Sequence, residues 1–157
     1  MKWNRKQRRR ALLATWRDER GQGLAELVVV LPLMLIMVSG IMFFGRVLYT
    51  ALAVDAASFD GARASVETLT RDRGPDQGLQ AAALTLSGYY LDPSAASINV
   101  VPLSNWERGS SVLSHICYNV RVDDIPLVRW FFSGQSVQVN VTTVMVVDYY
   151  KSRWTAR

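Results

Sequence analysis

Leu24-Ala25-Glu26-Leu27-Val28-Val29-Val30-Leu31-Pro32-Leu33-Met34-Leu35-Ile36-Met37-Val38-Ser39-Gly40-Ile41-Met42-Phe43-Phe44 is a run of 21 residues whose only charge is Glu26. Pro32, Ser39 and Gly40 are its other interruptions. At about 1.5 Å per residue, a helix of this length crosses the roughly 30 Å hydrocarbon core of a bilayer. A helix buried in a soluble core is the competing reading. Such a helix keeps a polar face, and this run has none. A cleavable secretory signal is the other rival. Its apolar stretch is about 7–15 residues long and ends at a small-residue site. Val38-Ser39-Gly40 offers such a site loosely, but the run continues through Ile41 to Phe44. A carboxylate inside the edge of a span is costly, which makes Glu26 a functional candidate.

The flanks of the run differ in charge. The chain has 157 residues, is 50% apolar and carries a net charge of +5. Lys2, Arg5, Lys6, Arg8, Arg9, Arg10, Arg17 and Arg20, set against Asp18 and Glu19, give residues 1–20 a charge of +6 and leave −1 for the rest. Basic excess on one side of a span predicts a cytoplasmic N-terminus and a translocated C-terminal part. Arg8-Arg9-Arg10 also suits phosphate contacts, since basic clusters bind nucleic acid. No aromatic interleaving accompanies it and a span follows at once, so no nucleic-acid partner is expected.

Downstream, helix continues. From Arg46 to Thr70 there is no Pro and Ala is abundant. Leu48, Leu52, Asp55, Phe59, Ala62, Val66 and Leu69 alternate in spacings of four and three, a heptad-like seam. It is expected to pack on the chain's own head, on neighbouring subunits, or on each at different points. A single helix from Gln22 to Val66 would reach about 68 Å. Pro32 removes a helix hydrogen bond and predicts a kink. Arg71-Asp72-Arg73-Gly74-Pro75-Asp76 is the strongest breaker. Asp76 then caps a second helix, with Gln80 downstream, through Leu79, Ala82, Ala83, Leu86 and Tyr89-Tyr90, ended by Gly88 and Asp92-Pro93.

The remainder alternates as strands do. Ile98 to Leu103 is short. Val112 to Val122 puts Ile116, Tyr118, Val120 and Val122 on one face, with His115, Cys117, Asn119 and Arg121 on the other. Val137 to Tyr149 puts Val137, Val139, Val141, Thr143, Met145, Val147 and Tyr149 on one face. Gln138, Asn140, Thr142, Val144, Val146 and Asp148 take the opposite one. The expected class is α+β: a long transmembrane and amphipathic helix, then a small head with one helix on an antiparallel sheet. The expected division is a basic leader over 1–21, the span and stalk over 22–70 and the head over 71–157.

Few residues invite chemistry. His115 and Cys117 share a strand face, but a structural zinc site needs four ligands and the chain has one His and one Cys. No metal site and no cofactor is expected. Cys117 is expected to be buried as a small apolar residue. No glycine-rich phosphate loop, nucleophile arrangement or paired-carboxylate signature is present, so the chain reads as the substrate of an enzyme rather than an enzyme. The dense apolar stretch Ile125-Pro126-Leu127-Val128-Arg129-Trp130-Phe131-Phe132 is expected to cover the sheet rather than to face a partner. Asn140-Val141-Thr142 matches a glycosylation acceptor within a strand, where it is read as accidental.

Gly21 followed by Gln22 to Glu26 and an apolar helix resembles the cleavage site of type IV prepilins. The wider segment Arg20-Gly21-Gln22-Gly23-Leu24-Ala25-Glu26-Leu27-Val28-Val29-Val30-Leu31-Pro32-Leu33 resembles TadE-like minor pseudopilins of tight-adherence (Tad, or Flp) pilus systems. Phe44-Gly45-Arg46 at the helix exit and Asp60-Gly61-Ala62-Arg63 further on fit that family. Met42-Phe43-Phe44 is less acidic and aromatic than its usual exit. The resemblance implies that a prepilin peptidase cuts between Gly21 and Gln22, and that Glu26 then pairs with the new amine of a neighbouring subunit during assembly. Pro32 is a normal part of the pattern. Other pilins and pseudopilins, the inner-membrane assembly platform and membrane lipid are the implied partners. The implied place is the inner membrane, crossed once, with the head periplasmic, and incorporation in the pilus is compatible with the resemblance. The role is pilus assembly or priming, hence adherence and biofilm formation. An uncleaved single-pass scaffold of a pilus or secretion machine is the alternative, and a tethered adhesive module a third.

Overall fold

The structure is a computed structural model that describes residues 19–68, 72–104, 109–121, 129, 134 and 136–148, with side chains from residue 23 onward. The fold is α+β. Helix α1 spans Glu19–Glu67 and helix α2 Gly74–Gly88; a 3₁₀ turn over Pro93–Ala95 leads into strands β1 (Ala96–Pro102), β2 (Ser111–Arg121) and β3 (Ser136–Val146). The chain divides into two units, Met1–Ile41 and Met42–Arg157.

In the first unit α1 carries its apolar residues on every side. Leu27, Val28, Leu31, Met34, Leu35, Ile36 and Met37 are all exposed. By length and composition it is the one described helix able to cross a membrane, consistent with a single-pass membrane protein. Pro32 lies inside it. Ser39 donates to the Leu35 carbonyl at 2.7 Å, so its hydroxyl is satisfied within its own helix.

The second unit is a small head. Its sheet is antiparallel in the order β1-β2-β3, and Ile98, Ile116 and Val141 align across it, as do Val100, Ser114 and Thr143. These residues belong to the inner face, where Val112, Ser114, Ile116 and Val120 of β2 are buried. Val144 and Val146 lie exposed on the other face with Gln138, Asn140 and Thr142, as the alternation predicts. Val54 and Ala57 of α1 join Ala82 and Leu86 of α2 and Ile116 in one core cluster; Val100, Val112 and Val147 form a second. Tyr149 and the stretch 125–132, Arg129 apart, lie outside the described residues.

Two expectations need correction, and a third is divided. The first is the cap of α2. Arg73, not Asp76, is the N-cap, without a side-chain hydrogen bond, and Asp76 sits in the first turn. Pro75 fits the first turn because its missing N–H has no partner there in any case. The helix therefore begins two residues before Asp76, whose carboxylate still faces the positive end of the helix dipole.

The divided expectation is the seam on α1, part of which meets the head and part of which is exposed. Leu48, Leu52, Asp55 and Phe59 are exposed, while Thr50, Ala53, Val54, Ala57, Ser58, Gly61, Ala62 and Ser65 are buried. At about 100° per residue the two stripes lie on roughly opposite sides of the helix. The head selects the small residues because they let the helix backbone lie close to the sheet. Of the seam, Ala62 is buried and Val66 packs half-buried against the Val100, Val112 and Val147 cluster, while Leu69 lies outside the described residues.

The other correction concerns Cys117, which is half-buried on the outer face rather than in the core. Strand alternation places it opposite the helices.

Helix α2 ends in a left-handed residue. The amide of Leu91 donates to the Leu86 carbonyl and that of Tyr90 to Ser87, each at 3.0 Å, with Tyr90 at φ 56°. This is the Schellman pattern with Tyr where glycine is usual.

Candidate functional site

The residues expected to matter fall into two groups, one in each unit. Gly21, Gln22 and Glu26 belong to the first turns of α1. The Gly21–Gln22 bond is helical within the described part of α1. Glu26 is exposed and has no hydrogen-bond or ion-pair partner among the described residues. Only Glu26 carries charge between Leu24 and Phe44.

The second group is Asp60-Gly61-Ala62-Arg63, and each residue has a distinct contact. The Thr85 hydroxyl of α2 donates to Asp60 Oδ2 at 2.8 Å. Gly61 lies against Gly78 so closely that a Cβ on Gly78 would sit 2.7 Å from the Gly61 carbonyl oxygen. Ala62 is fully buried. Arg63 turns outward and pairs with Glu67 at 2.9 Å, which holds its guanidinium pKa above the ordinary value. Three residues of the four therefore join the stalk helix to the head, and the fourth stays in solvent.

Further contacts complete this junction. The Tyr49 hydroxyl donates to the Tyr89 carbonyl at 3.1 Å, and the two rings meet edge to face at 6.0 Å. The Ser58 hydroxyl donates to the Ser114 carbonyl at 3.0 Å and lies 2.9 Å from the Thr143 hydroxyl, reaching two strands at once. Contacts run from Tyr49–Tyr89 through Asp60–Thr85 to Gly61–Gly78, so α1 and α2 are antiparallel.

Gly78, Thr85 and Ser58 were not singled out in the sequence reading. A signal existed for Gly78: Gly74, Gly78, Ala82 and Leu86 form the buried line of α2 at spacings of four, and three of them are small. Nothing local marks Ser58 or Thr85, whose partners are 56 and 25 residues distant.

The outer sheet face is polar. His115 Nδ1 and the Thr142 hydroxyl are 2.8 Å apart, and Gln138 Nε2 donates to the Cys117 sulfur at 2.7 Å. His115 and Cys117 thus each face a neighbour on β3. Asn140 lies exposed within β3.

The family model described as TadE-like protein matches residues 21–63. The match opens at the expected scissile glycine and closes at Arg63, so it takes in the apolar run and the buried stripe as far as Ala62. No curated protein and no solved structure matches the chain.

Proposed function

We propose, from this TadE-like segment, that the chain works in a Tad pilus system as a minor pseudopilin, assembling or priming the pilus for adherence and biofilm formation. The observation that carries the reading is the matched segment itself: a membrane-competent helix with one carboxylate near its start, continued into a junction with a small head. A prepilin peptidase of the inner membrane cuts between Gly21 and Gln22. Glycine leaves the backbone at the scissile bond unhindered. The basic leader is thereby removed, and the head lies on the periplasmic side.

Glu26 becomes the fifth residue of the mature chain. A lone carboxylate in lipid is costly, and the ammonium of a neighbouring subunit's Gln22 offsets that cost. The pairing sets helix register between subunits, whether the partner is a second copy, a pilin or the assembly platform. Nothing in this role asks the chain itself for catalysis or a cofactor.

The test is the N-terminal residue of the protein purified from native membranes. A start at Gln22 is expected. A start at Met1 would instead favour an uncleaved single-pass scaffold. In the same host, Glu26→Ala should insert normally yet reduce piliation. Normal pilus numbers in that variant would remove the pairing from the mechanism.

A further inference from the structure

In the second unit the sheet and α2 cover one side of α1 and leave the opposite side bare. Leu48, Leu52 and Phe59 stand exposed there in one line, Leu52 most of all. Asp55 is exposed within the same line, one turn from Leu52 and one from Phe59. We propose that this stripe is the docking surface for an α-helix of a different protein, one that sets a Lys or Arg against Asp55. It rests on the assembly role above and names the kind of partner that role requires; processing at Gly21 does not enter.

Spacing makes the occupant a helix. Residues 48, 52, 55 and 59 recur at intervals of four, three and four, the seam into which a second helix sets its knobs. Apolar residues exposed singly need no explanation, but three large ones aligned on one helix face mark a contact surface. None of the three joins a core cluster of the head, and Asp55 has no hydrogen bond or ion pair among the described residues. The core cluster takes Val54 and Ala57 from the other side of the helix, so a partner helix can lie on the stripe without displacing the head.

Charge makes the occupant something other than a second copy. In a symmetric pair of copies Asp55 meets Asp55, and like charges across an interface repel. Slipping one copy by a heptad sets Asp55 against Leu48 or against Ala62, which covers a carboxylate and leaves it unpaired. Between residues 46 and 67 the cations are Arg46 and Arg63. Arg46 lies nine residues from Asp55, which at about 100° per residue is the far side of the helix. Arg63 is held by Glu67 at 2.9 Å. A copy's stalk therefore brings no spare cation to Asp55, whereas a helix with Lys or Arg at the facing position pairs with it. A single polar residue in an apolar seam sets partner choice in this way.

The experiment makes the complementary helix from the chain itself. The full chain and its Asp55→Lys variant are mixed in equal amounts in detergent micelles, and dimers are counted by native mass spectrometry. Mixed dimers should exceed either homodimer by about tenfold or more, and raised salt should narrow the excess. Asp55→Asn alone should associate with itself more than the wild type does, because two amides can hydrogen-bond where two carboxylates repel. Leu52→Ala and Phe59→Ala, placed together in both mixed chains, should abolish the excess. All three positions are exposed, so the variants should fold, and urea unfolding checks that they do. A residue that only solvates the stalk would produce no mixed excess. Wild-type dimers as abundant as mixed ones make a second copy the occupant and overturn the proposal. A mixed excess that survives Leu52→Ala and Phe59→Ala moves the contact off the stripe and overturns it as well. The N-terminal residue tests the pilus-system reading separately, so its failure and that of the stripe are distinguishable.

Discussion

The two halves of α1 use opposite rules. Over residues 24–44 large apolar side chains point outward in every direction, as a lipid solvent allows. Over residues 50–65 the helix buries Ala, Ser, Thr and Gly, with Val54 the largest, and exposes Leu52 and Phe59. In the first half residue size has no directional meaning. In the second, small residues mark the side that touches the head, because only they permit the close approach at Gly61–Gly78. Hydrophobicity thus marks the span, and smallness marks the packing face.

The comparison can be broken most severely with one substitution placed in each half. Leu35→Arg sits near the middle of the apolar run and should cost about 2.5–3.5 kcal/mol of insertion free energy. Membrane fractionation should show reduced integration. Leu52→Arg, at a position 69% exposed, should change head stability by no more than about 0.5 kcal/mol in urea unfolding. A head that unfolds with Leu52→Arg would mean that the seam, not the small-residue face, holds it.

Gly78→Ala attacks the packing face directly. Its Cβ would meet backbone oxygen at 2.7 Å and Val100 Cγ1 at 3.0 Å. A backbone clash cannot be relieved by rotating a side chain, so a loss of roughly 1–3 kcal/mol is expected on chemical denaturation. Gly61→Ala, whose nearest contact is 3.1 Å, should lose less.

A finer test separates two buried serines. Ser58→Ala removes the hydroxyl that reaches Ser114 and Thr143 and should cost about 1–2 kcal/mol. The Ser114 hydroxyl is buried without a partner among the described residues. Ser114→Ala should therefore leave stability unchanged or slightly raised, since an unsatisfied buried hydroxyl is a cost to the fold. Similar losses in both variants would show that the helix–sheet contact depends on shape alone.

The smallest effect is a gain outside the contact. Tyr90 is 95% exposed and left-handed at φ 56°. Tyr90→Gly should stabilise the head by about 1 kcal/mol in the same unfolding assay, because glycine adopts that conformation without the Cβ penalty. It should leave the Tyr49–Tyr89 contact untouched.

Much of this molecule is legible along the chain because it depends on local pattern. The span follows from an uninterrupted apolar run, and the strands follow from alternation that survives in the register of β2 with β3. Gly21, Gln22 and Glu26 were singled out for a similar reason, since their context is a contiguous stretch. Their expected roles concern other molecules, so the fold adds little to them. The four residues at 60–63 were recognisable as a pattern, but their contacts with Thr85 and Gly78 were not.

By itself, the sequence determined where the chain becomes apolar enough for a membrane, where helix gives way to sheet, and which strand residues share a face. Each of these depends on neighbours within a few positions. Only the tertiary structure decided which side of the stalk helix meets the head, that α2 starts at Gly74 before Asp76, and that Tyr90 takes a left-handed turn. These depend on surfaces brought together from distant parts of the chain, where the depth of approach between backbones outweighs the hydrophobicity of any one residue.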